Sequence, residues 1–431
     1  VKTVLSESEN DTPTTDTAKP KSRIVSLKQG FRALEVFNYR LYWIGQLISQ
    51  SGSWMQRIAQ DWLVLQITNS PFAIGVVTAL QFLPIMLLSL VGGVLTDRWP
   101  KYKLLMITQV AALIQALIFA LLVSFGQIQL WHIYVLALLQ GIITAIDNPV
   151  RQVFVSELVG KKYLANAVVL NSMTFNGARI IGPASAGMLI AVFGSNNGAA
   201  LVLWINVISF LAVIGGLLLM NRNELHASTP KQGGSSMGRE IIEGLQYVAQ
   251  TPAVVQILII VAAIGTFGYN FSAIIPLLSG FVLHTDAAGF GGLSAFLGAG
   301  SVFGAIAAAY ASKVTLKRLI IASGIFSILL GIISVSSNYY VSVSLLVGLG
   351  FSGIIFSTSA NALIQLTVPE ELRGRVLSLH VLLFAGTTPI GSMLIGILAE
   401  SIGVSFGLLI CSALCLAGVL IAYIYHHRTA V

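Results

Sequence analysis

The sequence predicts an all-α integral membrane protein of twelve transmembrane helices, arranged as two six-helix bundles with both termini on the cytoplasmic side. Three observations predict it. Apolar residues make up 56% of the 431 residues and charged residues only 9%, where a soluble domain carries roughly 25% charged. The apolar residues gather into twelve runs, most of them close to or longer than the ~20 residues that cross a ~30 Å hydrocarbon core. Lys and Arg fall almost entirely on alternate connections between those runs. An ordinary soluble enzyme is excluded by the first observation, and disorder is excluded for all but the chain ends.

The runs lie at 40–67, 71–96, 104–125, 131–149, 164–193, 199–220, 253–282, 288–311, 318–336, 339–361, 374–400 and 403–425, with ends good to a few residues. Gly and Pro are common inside them, as membrane helices tolerate, and the strict alternation of a β-barrel strand is absent. Residues 1–28 are rich in Ser, Thr, Asp, Glu, Pro and Lys and are expected to form a disordered cytoplasmic tail. No cleavable signal is expected, because the first long apolar run starts near Tyr39 and shows no cleavage pattern. Just before it, Leu27, Phe31, Leu34 and Phe37 repeat at helical spacing beside Lys28, Arg32 and Arg40, which predicts a short helix lying on the membrane surface. The bundles are expected over 29–220 and 253–425. A polar linker at 221–252, ending in an amphipathic piece from Ile241 to Val248, joins them, and 426–431 form a second tail.

Orientation follows from counting. With the N-terminus inside, the segment to Arg40 carries 7 Lys and Arg, the connections beginning at 97, 150, 221, 311 and 361 carry 3, 3, 3, 3 and 2, and the C-terminus carries 1. That is 22 of 24; the opposite connections carry none, and Arg57 and Arg179 lie within spans. The net charge of +8 therefore sets topology, and nucleic acid is excluded as a partner because no basic stripe with interleaved aromatics exists. Cys411 and Cys415 lie four apart in an apolar run, so neither a disulfide framework nor a metal site is expected.

The chain also repeats itself. An ungapped shift of 209 residues aligns Gly141 with Gly350, Gly177 with Gly386, Gly182 with Gly391, Gly187 with Gly396 and Gly194 with Gly403, and sets Arg57 on Thr266 and Asp61 on Asn270. A six-plus-six duplication predicts two similar bundles related by an axis along the membrane normal.

Particular motifs then carry a resemblance. Gly93-Val94-Leu95-Thr96-Asp97-Arg98-Trp99-Pro100-Lys101-Tyr102-Lys103 resembles the G-x-L-x-D-R-x-G-R-R signature of the major facilitator superfamily, with Pro100 in place of a glycine and Lys101 in place of an arginine. Trp54-Met55-Gln56-Arg57, Asn148-Pro149-Val150-Arg151-Gln152, Ala178-Arg179-Ile180-Ile181-Gly182-Pro183 and Pro369-Glu370-Glu371-Leu372-Arg373-Gly374-Arg375 are similar to its enterobactin-exporter-like, or transmembrane secretion effector, subgroup. The resemblance covers roughly residues 30–425 and implies the major facilitator fold, alternating access about a midplane site and export. Two patterns depart from it. Ala137 stands where exporters often carry an Arg before Gln140-Gly141, and the antiporter glycine–proline signature is partial at Gly182-Pro183.

Within the first span Gln46, Gln50, Ser53, Arg57 and Asp61 recur at intervals of 4, 3, 4 and 4, which places them on one helical face. Such a stripe lines a water-filled path, or Arg57 and Asp61 pair with each other and pin the helix to a neighbour. At ~1.5 Å per residue Arg57 falls ~15 Å from the outer end of its span, with Arg179 at similar depth. Only Asp61 balances the two, so an anionic substrate group such as a carboxylate or catecholate suits the site; alternatively Arg179 satisfies carbonyls freed at Gly182-Pro183. Asp61 is the candidate proton carrier, since breaking its pairing with Arg57 changes its proton affinity. Tyr269 and Asn270 are candidate substrate contacts, and His380 is a candidate titrating group or a packing residue. By resemblance Gly93, Asp97 and Arg98 form a cytoplasmic latch between the bundles, with Arg151, Arg373 and Arg375 exchanging partners around it.

The expected function is secondary active transport. The specific expectation is proton-coupled export of an amphipathic organic molecule, siderophore-like, drug-like or anionic, by a monomer in the cytoplasmic (inner) membrane. Translocation of a lipid or lysolipid, or uptake, is the alternative. No enzyme activity and no cofactor beyond the proton gradient are expected: there is no G-x-x-x-x-G-K-[ST], H-E-x-x-H or G-x-S-x-G.

Overall fold

The computed structural model describes residues 31–226, 237–310 and 314–429, and every regular element among them is helical. The chain enters through a 3-10 turn at Arg32–Glu35, which ends where Val36 turns extended at φ −74° and ψ 114°. This differs from the surface helix expected over 27–40, of which 27–30 lie outside the described residues. The turn is tied down instead: buried Ala33 donates its N–H to Asn166 Oδ1 at 2.8 Å. The first long helix then starts at once.

That helix is α1, Phe37–Thr68. It is followed by α2, Pro71–Arg98, opened by a Ser70 cap whose side chain accepts from the Ala73 N–H, with Pro71 in the first turn. Next comes α3, Lys101–Ser124. The 64 residues Leu130–Phe193 run nearly continuously but break at Gly160, where φ is 61° and ψ −177°, a conformation open to glycine alone without strain. They therefore form α4 (130–159) and α5 (161–193). After α6, Ser195–Leu218, the linker helix α7 spans Met237–Gln250, containing the amphipathic piece expected at Ile241 to Val248; residues 227–236 lie outside the described set.

The second half begins with α8, Pro252–Phe267, and α9, Phe271–Leu277, separated by a break at 268–270 and extended by a π-helical turn at Leu278–Val282. Then come α10, Ala287–Tyr310; α11, Leu316–Ser334; α12, Tyr339–Thr367; α13, Glu370–Phe384; α14, Thr388–Ile402; and α15, Val404–Thr429. Helix α15 thus runs through residues 426–429, expected as tail. Among the described residues ten segments are long and apolar enough to cross a membrane, the Leu130–Phe193 segment counted once. Helix α1 falls outside that ten, although its 32 residues span ~48 Å, because its polar stripe lowers its hydropathy.

Helices α1–α6 pack into one bundle and α8–α15 into another, and the glycine register seen in the sequence recurs as contacts. A Cβ at Gly141 of α4 would sit 2.6 Å from the Gln81 carbonyl of α2, and Gly350 of α12 presses against Leu297 of α10 in the equivalent way. Gly182 of α5 would meet Trp54 Cβ of α1 at 2.6 Å, while Gly391 of α14 lies against Thr266 of α8. Small residues allow this close backbone approach, which drives helix association in lipid.

The third pair joins the halves. A Cβ at Gly187 of α5 would lie 2.9 Å from Gly291 Cα of α10, and one at Gly75 of α2 would lie 3.1 Å from Gly396 Cα of α14. The Trp62 and Phe290 rings stack across the same seam at 6.5 Å. These contacts lie toward the face whose connections carry no Lys or Arg. There Glu400 of α14 also accepts from Ser70 Oγ at 2.9 Å and from the Phe72 N–H at 3.2 Å, at the start of α2.

Candidate functional site

A cavity of about 620 Å³ separates the two bundles. It is lined from the midplane to the basic face, where Asp147, Asn148 and Arg151 form part of its wall. From α1 it takes Gln50, Ser53, Arg57 and Asp61, and from α5 Arg179. Amphipathic periodicity thus turns this face of α1 inward to water rather than lipid. The adjacent face is fixed by amides: Gln56 donates to Gln115 Oε1 of α3 at 3.2 Å, and Asn206 of α6 donates to Gln56 Oε1 at 2.7 Å. With Gln56 held in the bundle, Arg57 one residue on is turned ~100° away, into the cavity.

Neither Arg57, Asp61 nor Arg179 forms a hydrogen bond or ion pair within 4 Å among the described residues. Arg57 lies over the Trp54 ring, 4.7 Å from its centroid, a cation–π contact that leaves its donors free. Arg57 and Asp61 both line the cavity. Two arginines and one aspartate thus share one cavity, each without a hydrogen-bond or ion-pair partner among the described residues.

Asp147 was missed by sequence reasoning. It accepts from Thr108 Oγ1 at 2.7 Å and Gln109 Nε2 at 2.8 Å, and is paired two-pronged with Arg151, whose Nε lies 2.9 Å from Oδ2. Arg151 also donates to Gln46 Oε1. Gln46 is therefore 4% exposed and held at the cavity's edge, not in its lining. The Asp147–Arg151 spacing of four residues was the available signal. It was passed over because both fall where span four meets its loop.

The opposite wall has another character. Tyr269, Asn270 and Phe271 at the α8/α9 break, Phe290 of α10 and Phe384 of α13 line it, and its lining holds no Asp, Glu, Lys, Arg or His. The Tyr269 ring lies 4.9 Å from Phe384 and 5.1 Å from Phe271. His380 stacks on Phe384 at 5.9 Å and is itself buried outside the cavity lining, with no hydrogen-bond partner for either ring nitrogen among the described residues.

The expected latch is not engaged in this conformation. Asp97 and Arg98 are exposed, Gly93 is half-buried, and no hydrogen bond or ion pair joins them to the second bundle among the described residues. Arg151 pairs inside its own bundle, Arg375 pairs with Glu243 of α7, and the Arg373 Nε is buried without a hydrogen-bond partner among the described residues. The halves meet toward one face and stand apart at the basic one.

A duplicated helical bundle around a charged midplane cavity, closed at one face, defines a secondary transporter of the major facilitator type. The chain belongs to the transmembrane secretion effector family, which it matches over residues 29–430. It is 27% identical to the staphyloferrin A transporter of Staphylococcus aureus over 388 residues, covering 85% of this chain and 91% of that one. It is 23% identical to the enterobactin exporter EntS of Shigella flexneri, covering 88% and 90%. In fold it is similar to a bacterial homologue of the human lysosomal transporter Spinster, solved inward-facing and occupied, with a TM-score of 0.68 at 13% identity over 92% of this chain and 97% of that one. It is thus a multi-pass membrane transporter of small molecules.

Proposed function

We propose that the protein exports an amphipathic organic molecule, siderophore-like or drug-like, from the cytoplasm in exchange for protons. The observation that carries this reading is the cavity itself: Arg57, Arg179 and Asp61 unpaired in a space that opens to the basic face. In this reading there are twelve crossings, α1 counted as one, α4 and α5 as two, α8 with α9 and α13 with α14 as one each. Both termini lie in the cytoplasm and the cavity faces inward. The protein acts as a monomer in the cytoplasmic membrane, needs no cofactor and catalyses no covalent step.

The mechanism follows from the chemistry of the two walls. The arginines hold an anionic or acceptor group of the substrate, and the aromatic wall covers its apolar body. Asp61 exchanges a proton with the water of the cavity, one helical turn from Arg57, so its charge decides how strongly Arg57 is available to the substrate. Rocking about the cavity breaks the Gly75–Gly396 and Gly187–Gly291 seams and closes the basic face, which brings the Asp97 loop toward the second bundle. The name of the similar enterobactin exporter supports the direction.

The test uses purified protein in liposomes with an imposed pH gradient and a panel of siderophores, lipophilic drugs and lysolipids. Gradient-dependent flux of one of the first two classes is the expected result. Flux restricted to lysolipids identifies a lipid translocator instead, and accumulation toward the cytoplasmic side identifies an importer.

A further inference from the structure

The two walls of the cavity are chemically complementary, and the second wall has an unfilled acceptor. Between α8 and α9 the backbone ladder fails: the N–H groups of Gly268 and Tyr269 both turn to the Ile264 carbonyl, at 2.8 and 2.7 Å, and the ladder resumes only when Ala273 and Ile274 reach Asn270. The carbonyls of Phe267, Gly268 and Tyr269 are left without an N–H donor among the described residues. Asn270 donates its side-chain amide to the Thr266 carbonyl at 2.7 Å, so its Oδ1 faces outward from that bond. Asn270 lines the cavity, is 1% exposed, and its Oδ1 has no hydrogen-bond partner among the described residues. A buried acceptor left unmade is costly, and in membrane transporters unwound backbone carbonyls at an interrupted helix coordinate cations; of the three residues here, Tyr269 lines the cavity.

The neighbours choose among cations. The rings of Tyr269, Phe271 and Phe384 cluster at this break and line the cavity, and aromatic faces attract organic ammonium groups. The opposing wall already supplies Arg57 and Arg179 for an anion. Resting on the transport reading above, we propose that the substrate is a dipolar amphipath. Its anionic group sits on Arg57 and Arg179, its ammonium group is held at the α8/α9 break by Asn270 Oδ1, the Tyr269 carbonyl and the Tyr269–Phe271–Phe384 rings, and its apolar body spans the cavity.

The experiment measures binding of three fluorescent probes of one size class to the purified protein: dansyl-lysine, with ammonium and carboxylate; dansylcadaverine, with ammonium only; and dansylglycine, with carboxylate only. Dansyl-lysine is expected to bind the most tightly. Asn270→Leu is expected to weaken dansyl-lysine and dansylcadaverine about five- to tenfold and leave dansylglycine unchanged, which also shows that the cavity is intact. Asn270→Asp is expected to tighten dansylcadaverine about tenfold, as a charged acceptor does, and Arg57→Gln to weaken dansyl-lysine and dansylglycine only. If dansyl-lysine binds no more tightly than dansylglycine, or if Asn270→Leu weakens all three alike, the proposal is overturned while the transport reading stands. Binding of none of the three overturns the proposal, and the transport reading is then decided by the liposome flux alone.

Discussion

The first bundle is cross-linked by polar side chains, whereas the second is held by apolar packing. In the first, Gln56, Gln115 and Asn206 form a buried amide chain through α1, α3 and α6, and Asp147, Arg151 and Gln46 tie α4 to α1. In the second, among the described residues, hydroxyls mostly return to their own helix, and the polar links between helices end on backbone carbonyls: Ser412 Oγ donates to Ser327 at 2.7 Å, Tyr339 Oη to Gly289 at 3.3 Å and Cys415 Sγ to Ala263 at 3.7 Å. The second bundle also holds both interrupted spans, α8/α9 and α13/α14. The difference teaches that a duplicated fold can divide its labour: one half carries the charges of the cavity, while the other supplies an apolar, aromatic wall built on interrupted helices.

The comparison breaks most directly at its charges. Asp61→Asn and Arg57→Gln are each expected to remove gradient-driven flux while leaving the thermal stability of the purified protein near that of the wild type, because neither group is paired. The equivalent positions of the other half, Asn270 and Thr266, are not expected to abolish coupling when changed to Ala. If Thr266→Ala removes it as fully as Arg57→Gln, the division of labour fails.

Next in size is Asp147→Ala. It strands Arg151 beside the cavity, and removing one partner of a buried pair costs about 3–5 kcal/mol. Melting followed in detergent is expected to show a large drop, recovered in the double variant Asp147→Leu with Arg151→Met. A small drop would mean that Arg151 is held by Gln46 and water rather than by its carboxylate.

Smaller effects sharpen the contrast between the bundles. Gln56→Ala leaves Gln115 and Asn206 short of partners and is expected to cost about 1–3 kcal/mol, against about 0.6 kcal/mol for Ser412→Ala, an ordinary interhelical bond in a membrane bundle. Equal losses would remove the distinction between a cross-linked half and a packed one. The smallest effect is expected at the seam. Glu400→Ala takes a carboxylate from the start of α2, worth about 0.3–1 kcal/mol, and should shift the population toward opening at the face without Lys or Arg, read as a wider distance between spin labels placed on the two halves.

Much of the fold was legible because it is written in long-range regularities: apolar runs, charges on alternate connections, and a glycine register that later appears as matched helix contacts. Arg57, Asp61 and Arg179 were legible because an ionisable side chain inside a span has few places to go. Asp147 was not, since it sits where span and loop merge and its role depends on Thr108 and Gln109 from another helix. The break at 268–270 was equally hidden. No proline marks it; Asn270 replaces a backbone donor by bonding the Thr266 carbonyl, a local competition that periodicity does not register. The surface helix expected at 27–40 shows the converse error, where correct spacing was overridden by the pinning of Ala33 to Asn166.

Proton movement tests the central claim most directly. Liposomes loaded with a pH-sensitive dye and containing the purified protein would be given a transported compound without any imposed gradient. The account predicts that adding substrate moves protons across the membrane in the opposite direction in wild type, and that Asp61→Asn still binds the compound but moves no protons. Substrate flux without proton movement in wild type, or proton movement undiminished in Asp61→Asn, would contradict it.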